Sequence, residues 1–536
     1  MLLGLVIAYL VVTIVIGLYA ARRVHNTSDY AIAGRHLPLY MIVTTTFATW
    51  FGSETVLGIP AKFINGGLNG VIEDPFGAGF CLILVGLFFA GKLYRMSLLT
   101  ISDYYRERYG RAVEIACTLI IMLSYLGWVA AQVSALGMVF NLLSGGIISI
   151  PVGMTIGVVS ILAYTLFGGM WSVAVTDFIQ MIILVAGLTI IAVVAGDMAG
   201  GADKVIAYAT SKDLFRFLPE PTFKEIIFFF AGAITIMLGS IPQQDVFQRV
   251  MSANSVRSAT RGPVIGGIAY ILFAFVPMFL VTSSLLIMPE QTAAFLNGDA
   301  QLAQRILPTL VLEKMPFAMQ VIFFGALLSA IKSTASATLL APSVTFTENI
   351  WRQFRPVSAD QKNLLAMRVT VLIFSALVLV YAIKMEGTSI YEMVSNAYQV
   401  PLVGAFVPLV CGLYWNRATT QGAIAAVVLG IGVWLVMTFL PCPWYEAVQA
   451  AGTPGPADLA GMIVMSVVGG AAAGTLNLAD FAQPMLGDLF PAQLAGVLAS
   501  FTGMIAGSLL PQWLRNVRVA HRPLVDEHKA AEGVAA

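Results

Sequence analysis

Apolar residues run through this chain in blocks of about twenty, the length a helix needs to cross a bilayer core, and short polar or basic stretches close each block. The blocks fall near 2–20, 38–60, 70–91, 113–143, 149–168, 175–196, 226–248, 262–287, 316–349, 364–384, 391–414, 420–440 and 490–511. Inside hydrocarbon every backbone polar group needs an internal partner, so such blocks become helices. The pattern predicts an all-α polytopic membrane protein with about 13 transmembrane helices. A further stretch, 458–477, is rich in Gly and Ala and is expected to lie at an interface or to re-enter the membrane. The first block begins almost at Met1 and ends at Arg22 and Arg23 without a small-residue cleavage site, so a retained helix is expected and not a signal peptide.

Polar positions inside the blocks are few, and two groups stand out. The ninth block carries Ser329, Ser333, Thr334, Ser336 and Thr338. Ala330, Ser333 and Thr334 are spaced i, i+3, i+4 and share one helical face. A carbonyl and two hydroxyls on one face offer the oxygen ligands a small hard cation such as sodium prefers. The same residues also let two membrane helices approach closely, and spacing alone fits both readings. The second group is a pair of interrupted blocks. The second block reads TTTFATWFGSETVLGIP and the seventh AITIMLGSIPQQDVF, with Gly52-Ser53 and Gly239-Ser240 in their middles and Pro60 and Pro242 beyond. Gly and Pro weaken the helical ladder and free carbonyls. The two blocks are five apart, and interrupted helices at corresponding positions point to an inverted-repeat transporter. The expected repeats are 38–196 and 226–415, discontinuous helices included, with 1–25 and 416–512 peripheral and 513–536 a cytoplasmic tail.

Composition removes other classes. Of 536 residues, 58% are hydrophobic and 11% charged, against about 25% charged in a soluble domain. The net charge of +1 gives no electrostatic footprint for nucleic acid. Cys81, Cys117, Cys411 and Cys442 are far apart and show neither metal nor disulfide spacing. No Walker or dinucleotide motif sits in a suitable context, so neither an enzyme nor ATP-driven transport is expected. With the N-terminus outside, the inner loops and tail hold 20 of the 29 Lys and Arg residues and the outer loops 8, the last being intramembrane Lys332. The positive-inside bias therefore sets the C-terminus in the cytoplasm. A crossing at 458–477 would put the basic tail outside, which argues for thirteen spans over fourteen.

Four stretches carry a resemblance: SDYAIAGR at 28–35, the second block with its GIP end, YTLFGGMWSVAVTDFIQ at 164–180, and SAIKSTAS at 329–336. Together they resemble the sodium:solute symporter family, which includes sodium/proline, sodium/glucose and choline transporters. IPQQDVFQRV at 241–250 is similar to the choline branch. The resemblance implies a 5+5 inverted-repeat (LeuT-type) core with sodium as the coupling ion. It implies a sodium site built from the carbonyls of Ala48, Phe51 and Ala330 and the hydroxyls of Ser333 and Thr334, with Asp177 on the inner sodium path. Asp177 also reads as a helix N-cap or as the partner of a loop Arg. Two positions depart from the family: Trp50 stands where the proline branch has Asp, and Lys332 where an uncharged residue is usual. Lys332 points away from the Ser333/Thr334 face and is expected to pair with an intramembrane carboxylate, Asp177 or Glu54.

Candidate solute-binding residues are Trp50, Glu54, Thr55, Asp74, Gln243, Asn396 and Tyr398, with Phe51 and Trp128 as further aromatic wall and Glu73 either in the membrane or in the outer headgroup region. Acids beside aromatics favour an amine-bearing solute through charge pairing and cation–π contact. The expected function is a sodium-coupled symporter importing a small polar organic solute by alternating access, such as an amino acid or a choline-like compound. The alternatives are a sodium-independent carrier with Lys332 as fixed charge, and a solute-sensing membrane protein. Expected partners are the solute, sodium and membrane lipid, with no required protein partner evident, in the cell membrane (the inner membrane if bacterial).

Overall fold

The structure is a computed structural model in which residues 1–297, 300–354, 360–441 and 485–514 are described. The 458–477 stretch, Cys442 and the basic tail lie outside the described residues. Among the described residues there is no strand, only isolated bridges joining Leu37 to Ala253 and Pro441 to Met485. The long helices are α1 (Leu2–Ala20), α2 (Leu39–Trp50), α3 (Ile59–Gly70), α4 (Ile72–Arg95), α5 (Arg111–Leu143), α6 (Ile150–Met198), α7 (Phe223–Gly239), α8 (Gln244–Met251), α9 (Val256–Ile287), α10 (Phe317–Phe354), α11 (Asp360–Lys384), α12 (Ile390–Tyr414), α13 (Thr420–Phe439) and α14 (Ala492–Leu514).

Among the described residues, 10 helices are long and apolar enough to cross a membrane, or 11 if the bent pair α7 and α8 is one span. The sequence reading of thirteen differs at two places. It takes α6 as two crossings, 149–168 and 175–196, and the 49 residues of α6 do turn non-helical between them at Gly169 (φ 46°, ψ −139°), where the left-handed backbone suits glycine. It also counts α2 with the segment after Trp50 as one crossing, and there the helix is broken.

Burial sorts the helices by role. In α12, 83% of the most apolar window is buried and in α10 67%, against 22% in α1. α10 runs through the centre, packed along α6 and α5, while α12 lies on α5, α9 on α2, and α13 on α14. A helix that is apolar all round belongs inside a protein or a membrane, and α10 does both: every side chain from Phe323 to Thr345 is buried. The edge helices α1 and α11 instead turn Val11, Val12 and Val15, and Leu372, Ile373 and Leu377, outward, as a lipid-facing surface requires. One face of α1 is different. Tyr9 bonds Ser329 of α10, Thr13 receives the Lys332 ammonium at 2.8 Å, and the Gly17 carbonyl accepts from Ser172 of α6. Those three positions repeat every four residues, so they form one stripe against the core.

Candidate functional site

The site begins where α2 stops. Phe51 leaves the helix (φ −81°, ψ 68°). The Gly52 amide, which in a continuing helix would reach the Ala48 carbonyl, bonds the Trp50 carbonyl instead at 2.9 Å. The Ala48 carbonyl is thereby released from the ladder and accepts from the Thr334 hydroxyl of α10 at 3.1 Å. A Cβ on Gly52 would lie 2.8 Å from Thr334 Oγ1, 2.8 Å from Glu54 Oε2 and 2.9 Å from Gln132 Oε1, so a side chain here would displace these polar groups. The same close approach makes Gly52 the point where the hydroxyl group of α10 and the Glu54 carboxylate adjoin.

The hydroxyls of α10 divide into two sets. Ser336, Thr338, Ser343 and Thr345 donate to carbonyls of their own helix, the low-cost arrangement for a hydroxyl buried among membrane helices. Ser333 and Thr334 reach across to other helices, Ser333 to Asp177 Oδ1 of α6 at 2.5 Å and Thr334 to Ala48 of α2. Adjacent residues on a helix point about 100° apart, which is why they address different neighbours. A hydroxyl keeps acceptor lone pairs after donating, so Ser333 Oγ can ligate a cation while still bonded to Asp177. Thr334 differs: its proton lies between two candidate ligand oxygens and must turn away before an ion enters.

Asp177 is fully buried and also accepts from Thr45 Oγ1 at 2.6 Å. Behind it stands Arg249, which is 1% exposed. Its guanidinium donates to the Thr45 carbonyl at 2.8 Å and the Asp245 carbonyl at 3.1 Å. It lies 3.9 Å from Asp177 Oδ2 and 3.8 Å from Asp245 Oδ2, close enough for charge pairing but beyond hydrogen-bond distance. Arg249 was counted from sequence as an inner-loop charge; the structure buries it inside α8 as the partner of two aspartates. It is the Arg that one sequence reading of Asp177 called for, although it is not in a loop. Removing it from the loop count leaves the basic asymmetry in place.

The solute candidates fall into three places. Trp50, Trp128 and Tyr398 form one buried aromatic cluster, with ring centroids 5.3 Å apart for Trp50–Trp128, 5.3 Å for Trp50–Tyr398 and 5.2 Å for Trp128–Tyr398. Glu54 lies at its edge, held by Gln132 Nε2 at 2.5 Å and Trp128 Nε1 at 3.4 Å. Gln132 also accepts from the Ser53 amide at 2.9 Å, so this one α5 side chain pins the break in α2. On the other side Tyr125 stacks near Trp128 and donates to Asp245 Oδ1 at 2.5 Å. Among the described residues, Trp50 Nε1, Tyr398 Oη, Gln243 Oε1 and Asp245 Oδ2 are buried without a hydrogen-bond partner. Such groups are costly to leave unmade.

Thr55 and Asp74 belong to a second group. The Thr55 hydroxyl bonds the Trp50 carbonyl at 2.7 Å and Tyr270 Oη at 2.9 Å, and Tyr270 donates to Asp74 Oδ1 at 2.5 Å. This chain fixes the far side of the break, while Asp74 Oδ2 has no partner among the described residues. Asn396 is elsewhere: it is exposed and lines a cavity at the end of the molecule where α12 begins, away from the aromatic cluster.

The expected carboxylate partner of Lys332 is also absent among the described residues. Its ammonium donates to Thr13 of α1 and lies 5.2 Å over the Tyr164 ring. Asp177 and Glu54 are on other faces, engaged as described. Depth along the chain matched Lys332 to those acids, but helix rotation turns it toward α1.

The chain is similar to known proteins along most of its length. The family model described as the sodium:solute symporter family matches residues 30–430. The high-affinity choline transporter 1 of Caenorhabditis elegans is 25% identical over 458 residues, covering 81% of this chain and 78% of the relative. The high-affinity proline transporter PutP of Bacillus subtilis is 27% identical over 440 residues, covering 78% of this chain and 88% of the relative. Among solved structures, a Na+-coupled sialic acid symporter in a substrate-bound outward-open state aligns with a TM-score of 0.74 at 18% identity, covering 95% of this chain and 97% of that one, and so shares the fold. With the family model spanning most of its length, the chain belongs to the sodium:solute symporter family.

Proposed function

We propose that this protein couples sodium entry to the uptake of a small organic cation. The observation that carries the reading is the meeting of Thr334 with the broken end of α2, beside Ser333 on Asp177 of α6. Five oxygens, from Ala48, Phe51, Ala330, Ser333 and Thr334, would replace much of a sodium ion's hydration shell, and Asp177 keeps the surroundings electronegative. Asp177 then serves as a second contact of Ser333 on the inner path of the ion. Sodium bridging α2 and α10 favours the form in which the two helices are held together, and its release lets them part.

The solute reading rests on Trp50, Trp128 and Tyr398. Three electron-rich faces next to the Glu54 and Asp245 carboxylates suit an ammonium group. Arg249, the cation nearby, is bonded to carbonyls and charge-paired with two aspartates, so its charge is already compensated, although its Nη2 has no hydrogen-bond partner among the described residues. A cation with a neutral polar end therefore suits the site better than a zwitterion. The relatives named for choline transport fit this choice. Trp50 in place of the Asp of the proline branch also supports it. Because the rings touch one another, the solute would dock on their outer faces or part them.

The reading includes an outside N-terminus, a cytoplasmic C-terminus, thirteen crossings and repeats at 38–196 and 226–415. The basic asymmetry supports the orientation. The interruption of α2 at Phe51–Gly52 and the 47° bend between α7 and α8 support the repeats. Reconstituted protein in liposomes tests the function. Radiolabelled choline should accumulate under an inward sodium gradient and not under an equal potassium gradient. Accumulation that ignores sodium would end the proposal.

A further inference from the structure

Three arginines gather around the turn of α6 at Gly168 and Gly169, and neither the sodium nor the solute reading uses them. The end of α1 lies against this turn: a Cβ on Gly168 would come 3.2 Å from the Ala21 Cβ. Arg22 and Arg23 follow Ala21 directly. Arg368 of α11 reaches the same turn and donates to the Phe167 carbonyl at 3.4 Å. Each guanidinium carbon rests over a ring, Arg22 over Tyr19 at 5.5 Å, Arg23 over Trp171 at 4.8 Å and Arg368 over Phe167 at 5.6 Å. A ring face steadies the charge without taking up the N–H donors. Among the described residues none of the three forms an ion pair with a carboxylate, and Asp360, the acid that opens α11, is engaged by Thr27. Arg368 Nε is moreover buried with no hydrogen-bond partner among the described residues. Arg368 stands about 12 Å along α11 from Asp360, at about 1.5 Å per residue. Beside it Leu365, Val369 and Leu372, spaced i, i+4, i+7, turn outward, and Phe167 is exposed as well. A guanidinium bordered by a lipid-facing stripe is costly without a counter-charge.

We propose that this turn of α6 binds the headgroup of an anionic phospholipid of the inner leaflet. The lipid phosphate would take the free donors of Arg368 and Arg23, since a guanidinium edge matches two phosphate oxygens at once. Arg22 adds charge at the rim. One acyl chain would lie along Leu365, Val369 and Leu372. That stripe is what selects a lipid over a free anion: the donors border apolar surface, which a soluble phosphate would leave uncovered. The cytoplasmic leaflet carries the negative headgroups that such a cluster attracts. The site is independent of the solute reading, and only the choice of leaflet rests on the orientation proposed above.

Native mass spectrometry of the purified full-length protein tests the site, with phosphatidylglycerol and phosphatidylcholine titrated separately in detergent. The wild type should hold one phosphatidylglycerol roughly ten-fold or more tighter than phosphatidylcholine, the scale of a charge-assisted bond. Arg23→Gln combined with Arg368→Gln should erase that preference. Arg257→Gln combined with Arg261→Gln removes the same charge from exposed positions at the start of α9 and should keep it. Leu365→Glu leaves the arginines in place but sets a carboxylate three residues from Arg368; it should also weaken phosphatidylglycerol, and it carries the test if the double arginine variant does not fold. Excess inorganic phosphate should not displace the lipid. The site is overturned if the wild type shows no preference, if both arginine pairs erase it equally, if Leu365→Glu leaves it unchanged, or if inorganic phosphate releases the bound lipid.

Discussion

Removing the hydroxyls of Ser333 and Thr334 one at a time should give unequal effects on sodium, and the inequality follows from where their protons go. Ser333 donates to Asp177, an acceptor outside the proposed ligand set, so the bond persists whether or not sodium is bound. Its loss cancels between the two states, and Ser333→Ala removes a ligand and nothing else from the binding equilibrium. Thr334 donates to Ala48, itself a proposed ligand, so its bond exists only without the ion. Thr334→Val therefore weakens the ion-free state as well, by about 1 kcal/mol for a neutral buried bond. If each ligand contributes roughly 2–3 kcal/mol, Ser333→Ala should raise the half-activating sodium concentration by about thirty- to a hundred-fold or more, and Thr334→Val by about five-fold less, at about 1.4 kcal/mol per decade. Thr334→Val leaves the Ala48 carbonyl unpaired until sodium fills the site, so sodium should raise its melting temperature. Sodium titration of uptake and thermal unfolding in sodium against potassium measure both effects. Ser336→Ala is the control, since its hydroxyl bonds its own helix at Ser333. The reasoning fails if Ser336→Ala matches Ser333→Ala, or if Thr334→Val proves the more damaging of the pair.

Arg249→Met leaves Asp177 and Asp245 buried without their counter-charge, and should destabilise the protein by about 3–5 kcal/mol; adding Asp245→Asn should recover part of the lost melting temperature, and no recovery would mean that the carbonyl bonds matter more than the charge. Trp128→Ala should weaken solute binding at least ten-fold while Trp128→Phe loses less, because a cation–π contribution of about 0.5–2 kcal/mol survives in reduced form; equal losses in a binding assay would point to packing instead. Lys332→Met should leave sodium activation within about three-fold and keep or raise thermal stability, because a buried ion replaced by an apolar side chain of similar length is often neutral or better. A large loss of sodium affinity would return Lys332 to the ion site.

The periodicity of apolar blocks carried the helical architecture, because a bilayer imposes one length on every crossing. The interruptions of α2 and α7–α8 were legible for the same reason: Gly52, Gly239 and Pro242 break a ladder that nothing else in hydrocarbon replaces. What the chain did not disclose is which face meets which. Gln132 holds the break in α2 from 79 residues away, with no local mark to single it out. Asn396 lines an outer cavity while Tyr398, two residues on, packs in the aromatic cluster, and a linear reading assigns both to one site. Arg249 had a signal that a charge tally passes over: Asp245 four residues earlier puts an acid and a base on one face of a helix.

The stripe of Tyr9, Thr13 and Gly17 on α1 has a consequence for how the molecule is assembled. Thr13 and Lys332 are 319 residues apart, so α1 enters the membrane long before the ammonium it covers has been synthesised. Until α1 docks, Lys332 faces lipid or a transient neighbour, at about 2.5–3.5 kcal/mol on insertion scales. The helix that looks most dispensable by burial is thus the lid on the one deeply placed lysine among the described residues. Truncation of the N-terminus should show itself as slow maturation and turnover of newly made protein, even where the finished transporter would have kept its ion and solute sites intact.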